Sequence, residues 1–90
     1  GVRSEEDIFW LDEMAKYIPR DRIHVTLSQP SSSWSGHRGR VQTIIPNIIT
    51  NIADRTVYVC GNPDMTKEVK ALCLDTWGVS KEHLHVEGYI

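Results

Sequence analysis

The chain has 90 residues, of which 40% are hydrophobic and 24% charged, and a net charge of −2; that is room for one small globular domain or a piece of a larger one. The balance argues against a surface built for nucleic acid or anionic lipid, and no apolar run approaches the ~20 residues that span a bilayer. Two cysteines, Cys60 and Cys73, are too few for a disulfide framework and form no CxxC pair, so reduced thiols in a cytoplasmic compartment are expected.

No signal-peptide pattern opens the chain, and a first residue of Gly rather than Met points to a chain cut from something longer. Residues 4–18 predict a helix. Ser4 with Asp7 resembles a capping box, Glu5 and Glu6 suit the positive end of the helix dipole, and Ile8, Leu11, Met14, Ala15 and Ile18 form one apolar stripe before Pro19. Residues 23–28 alternate apolar and polar and predict a strand. Residues 29–40, with a proline, four serines and two glycines, read as a loop. Val41, Ile44, Ile45, Ile48, Ile49 and Ile52 make a helical stripe over 41–52 in which Pro46 is discordant; the helix either starts near Thr43 or kinks. Residues 56–61 are nearly all apolar and end in Gly61, the pattern of a strand buried on both faces. Asn62 and Pro63 turn the chain into a helix over 64–77, with Met65, Val69, Leu72, Cys73 and Thr76 on one face and Gly78 as its C-terminal cap. Residues 84–90 predict a last strand. This alternation predicts a three-layer α/β fold, a parallel sheet covered by helices.

In an open parallel sheet, ligands bind beyond the carboxyl ends of the strands. Residues 28–40, residues 60–65 and the chain terminus lie at such ends. In the middle segment Gly61 removes a side chain where a ligand approaches the backbone, and amides at the start of the following helix favour a polar or anionic group.

Four segments carry a resemblance. VYVCGNPDM, residues 57–65, resembles the vYvCGPxxM signature of ferredoxin-NADP reductase-like enzymes, and HVEGYI, residues 85–90, resembles their C-terminal hxExY/F strand. The opening GVRSEEDIFWLDEM resembles their GxRxxxDxxxxxEL segment, and LSQPSSSWSGHRGRV resembles the SxxxxxWxGxxGxV region of bacterial-type oxygenase reductases. All four occur in family order and cover nearly the whole chain. The resemblance implies that residues 1–90 are part of a Rossmann-like NAD(P)H-binding domain. They would supply strands 3, 4 and 5 of a sheet ordered 3-2-1-4-5. The Gly-rich GTGxxP loop and the flavin domain with its RxYS motif are not in this sequence.

The implied activity is hydride transfer from NADPH or NADH to FAD, bound by a domain of the same parent chain, with electrons passed on to a haem or iron–sulfur protein. The 90-residue chain alone is expected to bind nucleotide weakly and to be inactive. Alternatives are an NADH-specific relative of the cytochrome b5 reductase or oxygenase-reductase kind, and a non-catalytic nucleotide-binding or interaction module.

Roles follow from the resemblance residue by residue. Cys60 and Glu87 would be the catalytic pair beside the nicotinamide, with Gly61 next to them. Asn62, Pro63 and Met65 would shape the pocket. Arg3 would line the dinucleotide site. Ser28 matches the serine of a Ser-Arg pair that grips the 2′-phosphate of NADP, but Gln29 stands in place of the arginine. Arg38 and Arg40 sit where relatives place a basic residue and an adenine-stacking aromatic. A 2′-phosphate favours a charged fork, which Gln29 lacks. No acidic residue lies within 28–40, which tilts the reading towards NADPH. Tyr89 matches a terminal aromatic that stacks on flavin in some relatives, although Ile90 follows it. His83 and His85 have a spacing that on a strand shares one face, but no further ligand cluster accompanies them and no metal site is expected.

Overall fold

A computed structural model describes residues 1–88, so Tyr89 and Ile90 lie outside the described residues. The chain divides into two compact units, Gly1–Ile45 and Pro46–Ile90. Its α/β class agrees with the sequence, but the strands form two separate two-stranded parallel sheets instead of one continuous sheet. No described helix is long and apolar enough to cross a membrane.

In the first unit, strand β1 (Thr26–Leu27) pairs in parallel with β2 (His37–Arg38), Thr26 opposite His37 and Leu27 opposite Arg38. The chain start joins them: Val2 donates its N–H to the Thr26 carbonyl at 3.1 Å and accepts from Ser28 N–H at 3.1 Å, while Gln29 N–H donates to the Arg3 carbonyl at 2.7 Å. Leu27 is fully buried. Thr26 is buried beside it and donates its hydroxyl to the Gly39 carbonyl at 2.7 Å, which satisfies a polar group in the core.

The expected helix over 4–18 is broken. A 3-10 turn at Glu5–Asp7 is followed by helix α1, only Leu11–Met14. The Asp7 carboxylate turns back to accept the Ser4 N–H at 3.2 Å, as the capping box requires. Ile8 then leaves helical geometry, and Phe9 stands 86% exposed. The stripe is only partly covered, Met14 and Ile18 being exposed while Ile8, Leu11 and Ala15 are half-buried; helices this short depend on packing. The strand expected over 23–28 keeps only Thr26 and Leu27 in the ladder, because short segments are all that pair with it. The segment read as loop contains β2.

Helix α2 spans Val41–Ile48 with Pro46 inside it, starting before Thr43. Pro46 has no N–H for the Gln42 carbonyl. The helix stops at Ile48 instead of reaching residue 52, and Ile52 belongs to a 3-10 turn, Ile52–Asp54.

In the second unit, β3 (Val57–Gly61) and β4 (Leu84–Gly88) pair in parallel, connected through helix α3 (Pro63–Asp75). Helix α3 packs on both strands. Val59, Val69, Cys73 and Val79 are buried, each such aliphatic side chain contributing about 1.5–3 kcal/mol when fully covered. Thr66, which the stripe omitted, is buried too and donates its hydroxyl to the Pro63 carbonyl at 3.0 Å, whereas Met65 is half-buried and Thr76 exposed. Burial pushes the Cys73 thiol above its ordinary pKa. Strand β3 is not buried on both faces: Tyr58 is 78% exposed and Cys60 is exposed, because α3 covers only the Val59 side.

Gly78 closes α3 at φ +72°, and Val79 N–H then donates to the Cys73 carbonyl at 2.9 Å. A Cβ at residue 78 would meet only Ala53 Cβ at an ordinary 3.6 Å, so replacement carries a conformational cost alone. Gly78→Ala should destabilise the protein by roughly 1–2 kcal/mol. The check is a lower urea midpoint at unchanged slope; an unmoved midpoint would show that this backbone turn is not needed. The two cysteines also separate by reagent access. Titration with a thiol reagent should find one fast thiol, Cys60, in the folded chain and the second only after unfolding; two fast thiols would contradict the burial of Cys73.

Candidate functional site

Parallel pairing in register decides which side chains share a face. Tyr58 lies opposite His85, and Cys60 opposite Glu87. Side chains alternate along a strand, so these four project from one face while Val57, Val59 and Val86 belong to the other. Cys60 and Glu87 therefore form a neighbouring pair near the carboxyl ends of both strands. An open pocket of about 360 Å³ is lined by Tyr58, Val59, Cys60, His85, Val86 and Glu87. The thiol and the carboxylate thus sit at one rim, on one face.

The turn after β3 is built by its own residues. The Asn62 side chain caps α3, its Oδ1 accepting the Met65 N–H at 2.8 Å, and the Asn62 carbonyl accepts Thr66 N–H at 3.0 Å. Pro63 opens the helix, where its missing N–H costs nothing. The terminal methyl of Met65 lies over Gly61 and fills the place a Cβ would take. The Met65 amide, expected to be open to an anionic group, is therefore already engaged, and the absent side chain of Gly61 makes room first for a methionine.

In the first unit, Arg3, Ser28 and Gln29 meet through the ladder. The Ser28 and Gln29 amides are spent on the Val2 and Arg3 carbonyls, which leaves the Ser28 hydroxyl and the Gln29 side-chain amide exposed at the strand end. The Arg38 guanidinium instead ties down its own loop, donating from Nη2 to the Ser31 carbonyl at 3.3 Å, to the Ser32 carbonyl at 3.4 Å and to the Trp34 carbonyl. Arg40 is exposed, and its carbonyl accepts from the Thr43 N–H at 3.0 Å and the Thr43 hydroxyl at 2.7 Å. The Trp34 indole donates to the His37 carbonyl at 2.9 Å, and a Cβ on Gly36 would come within 2.5 Å of that ring, so the Trp-x-Gly spacing is a packing requirement.

Three features escaped the sequence reading. The Glu5 carboxylate accepts Ser31 N–H at 2.9 Å, bringing an acid to a loop that has none of its own; its distance along the chain hid it. Tyr58 and His85 stack with ring centroids 4.8 Å apart and 17° between planes; a period-2 count back from Cys60 and Glu87 marks both positions. His83 lies in a 3-10 turn, where its Nδ1 is 3.3 Å from the Thr56 hydroxyl, so it does not share a strand face with His85. Among the described residues no group of three or more His, Cys, Asp or Glu is placed to hold a metal ion.

The profile of the family described as the oxidoreductase NAD-binding domain matches residues 1–71. Ferredoxin–NADP reductase B of Sorangium cellulosum is 38% identical over 99% of the chain, cytochrome b5 reductase 4 of Danio rerio 33% identical over 93%, and the ferredoxin–NAD(P)(+) reductase component of the naphthalene 1,2-dioxygenase/salicylate 5-hydroxylase systems of a Ralstonia species 27% identical over 99%. The chain spans 40%, 17% and 28% of the length of these three proteins. The resemblance carried by the four motifs is confirmed, and the chain belongs to the oxidoreductase NAD-binding domain family.

Proposed function

We propose that the chain is the later part of an NAD(P)H-binding domain, strands 3–5 of a Rossmann-like sheet, within a flavin-dependent oxidoreductase. The observation that supports this most is Cys60 opposite Glu87 on an open face at the strands' carboxyl ends, where parallel sheets present ligands. Bound there, NAD(P)H would supply a hydride to FAD held by another domain of the parent chain, with a haem or iron–sulfur protein as the final electron acceptor. The residues of this chain orient and screen. Cys60, small and exposed, limits how the pyridine ring lies, and the Glu87 carboxylate favours positive charge on that ring once hydride has left. Asn62, Pro63 and Met65 fix the rim through the helix cap. Two free cysteines suit a reducing, cytoplasmic compartment.

In the first unit, Arg3, Ser28 and Arg40 offer two cations and a hydroxyl to a 2′-phosphate, which favours NADPH. Arg38 contributes by shaping the loop. A second reading, NADH, is favoured by Gln29 and by the Glu5 carboxylate at Ser31, since an acid there repels a phosphate and suits a ribose hydroxyl.

In the flavin-containing parent, Cys60→Ala should lower kcat about tenfold through loss of ring orientation, with coenzyme affinity little changed. Stopped-flow bleaching of the flavin band by NADPH reads both; an unaltered rate would remove Cys60 from the site. Gln29→Arg should raise the NADPH-to-NADH ratio of kcat/KM about tenfold or more, the worth of one charge-assisted contact. No change in that ratio would mean that the 2′-group does not meet residue 29.

A further inference from the structure

In the first unit one loop residue is held through both of its backbone groups by opposite charges. The Ser31 N–H donates to Glu5 Oε1 at 2.9 Å, and the Ser31 carbonyl accepts from Arg38 Nη2 at 3.3 Å. Both bonds are charge-assisted, the stronger kind. The same guanidinium reaches the Ser32 carbonyl at 3.4 Å and the Trp34 carbonyl, and the Trp34 N–H donates to the Ser31 carbonyl at 3.2 Å, so the turn at 31–34 closes on this point. The two charges come from separate elements. Arg38 is carried by β2, opposite the buried Leu27. Glu5 is half-buried and lies 26 residues from Ser31, in a 3-10 turn fixed by Asp7 Oδ2, which accepts the Ser4 N–H at 3.2 Å and the Ser4 hydroxyl at 3.3 Å. Glu5, Ser31 and Arg38 all occupy positions that the family signatures leave unspecified.

We propose that Glu5 is a positioning residue for the coenzyme: with Arg38 it forms an ionic clamp on Ser31 that pre-orders the loop between β1 and β2 for the adenosine end of NAD(P)H. This rests on the reading of Ser28, Gln29 and Arg40 as the surroundings of the 2′-group, and adds to it a residue that acts through the loop without touching the ligand. A loop rich in serine and glycine has little to hold it in one shape, and ordering it only at the moment of binding would weaken binding through lost entropy. The clamp meets that cost during folding. Its loss therefore weakens both coenzymes, with or without a 2′-phosphate. The hydride step, assigned to Cys60 and Glu87 in the second unit, is left unchanged.

The test is steady-state kinetics of the flavin-containing parent with NADPH and with NADH. Glu5→Ala should raise KM for both coenzymes about three- to tenfold with kcat unchanged. Glu5→Gln, which keeps an acceptor for the Ser31 N–H, should recover part of the loss. Arg38→Ala should raise both KM values as well, and the double variant should raise them by less than the product of the single effects, because both side chains act on one residue. An unchanged KM in Glu5→Ala, equal losses in Glu5→Ala and Glu5→Gln, or independent effects in the double variant would overturn the clamp. So would a kcat that falls as KM rises, the mark of a general structural defect. Gln29→Arg separates the clamp from the reading beneath it. If it shifts the coenzyme ratio while Glu5→Ala does nothing, the clamp fails and the 2′ reading stands; silence in both variants overturns both.

Discussion

The register of two parallel strands controls what this chain can do. With Cys60 set against Glu87 and Tyr58 against His85, every second side chain of β3 and β4 is committed to one open face, and Val59 between them is buried on the α3 side. A slip of one residue in β3 would place Val59 in solvent and bring the Cys60 thiol towards the helix. The apolar demand of Val59, Val69, Cys73 and Val79 therefore fixes the site indirectly: burial on one side of the sheet sets the chemistry on the other. The cap at Asn62 and the turn at Gly78 hold α3 at the length this register needs.

The second unit was the more legible. An apolar run ending in Gly61, an Asn-Pro helix start and a glycine past the helix end are local signals with local causes, and they gave β3 and α3 to within two residues; the last strand begins at Leu84 as expected. The error there was one of context. A continuous apolar run reads as covered on both faces, yet in this chain only the Val59 side meets a helix. The same run carries the family signature and with it the candidate site, whereas the stacking of Tyr58 on His85 follows from pairing across 27 residues of chain and needs the register of the two strands as well as their local pattern.

The first unit was read less well, for physical reasons that its residues show. The helical stripe over 4–18 is real as a pattern, but Met14 and Ile18 stay exposed and Phe9 interrupts it; a stripe predicts a helix only where something covers it. The strand around Leu27 shrank to the residues that found partners. One of those partners is Val2, at the far end of the unit in sequence. Arg38 looked like a free cation because charge can be read from a sequence, whereas three loop carbonyls gathered round it cannot. Placements that rest on exposure and charge thus shift most between sequence and structure, and those that rest on strand register shift least.

The most direct test of the account is a crystal structure of the flavin-containing parent with its nicotinamide coenzyme bound. The account predicts the pyridine ring on the open face of β3 and β4, within about 4 Å of the Cys60 sulfur and the Glu87 carboxylate, ordinary van der Waals range. A ring lodged against the Val59 side, or seated away from both residues, would contradict it.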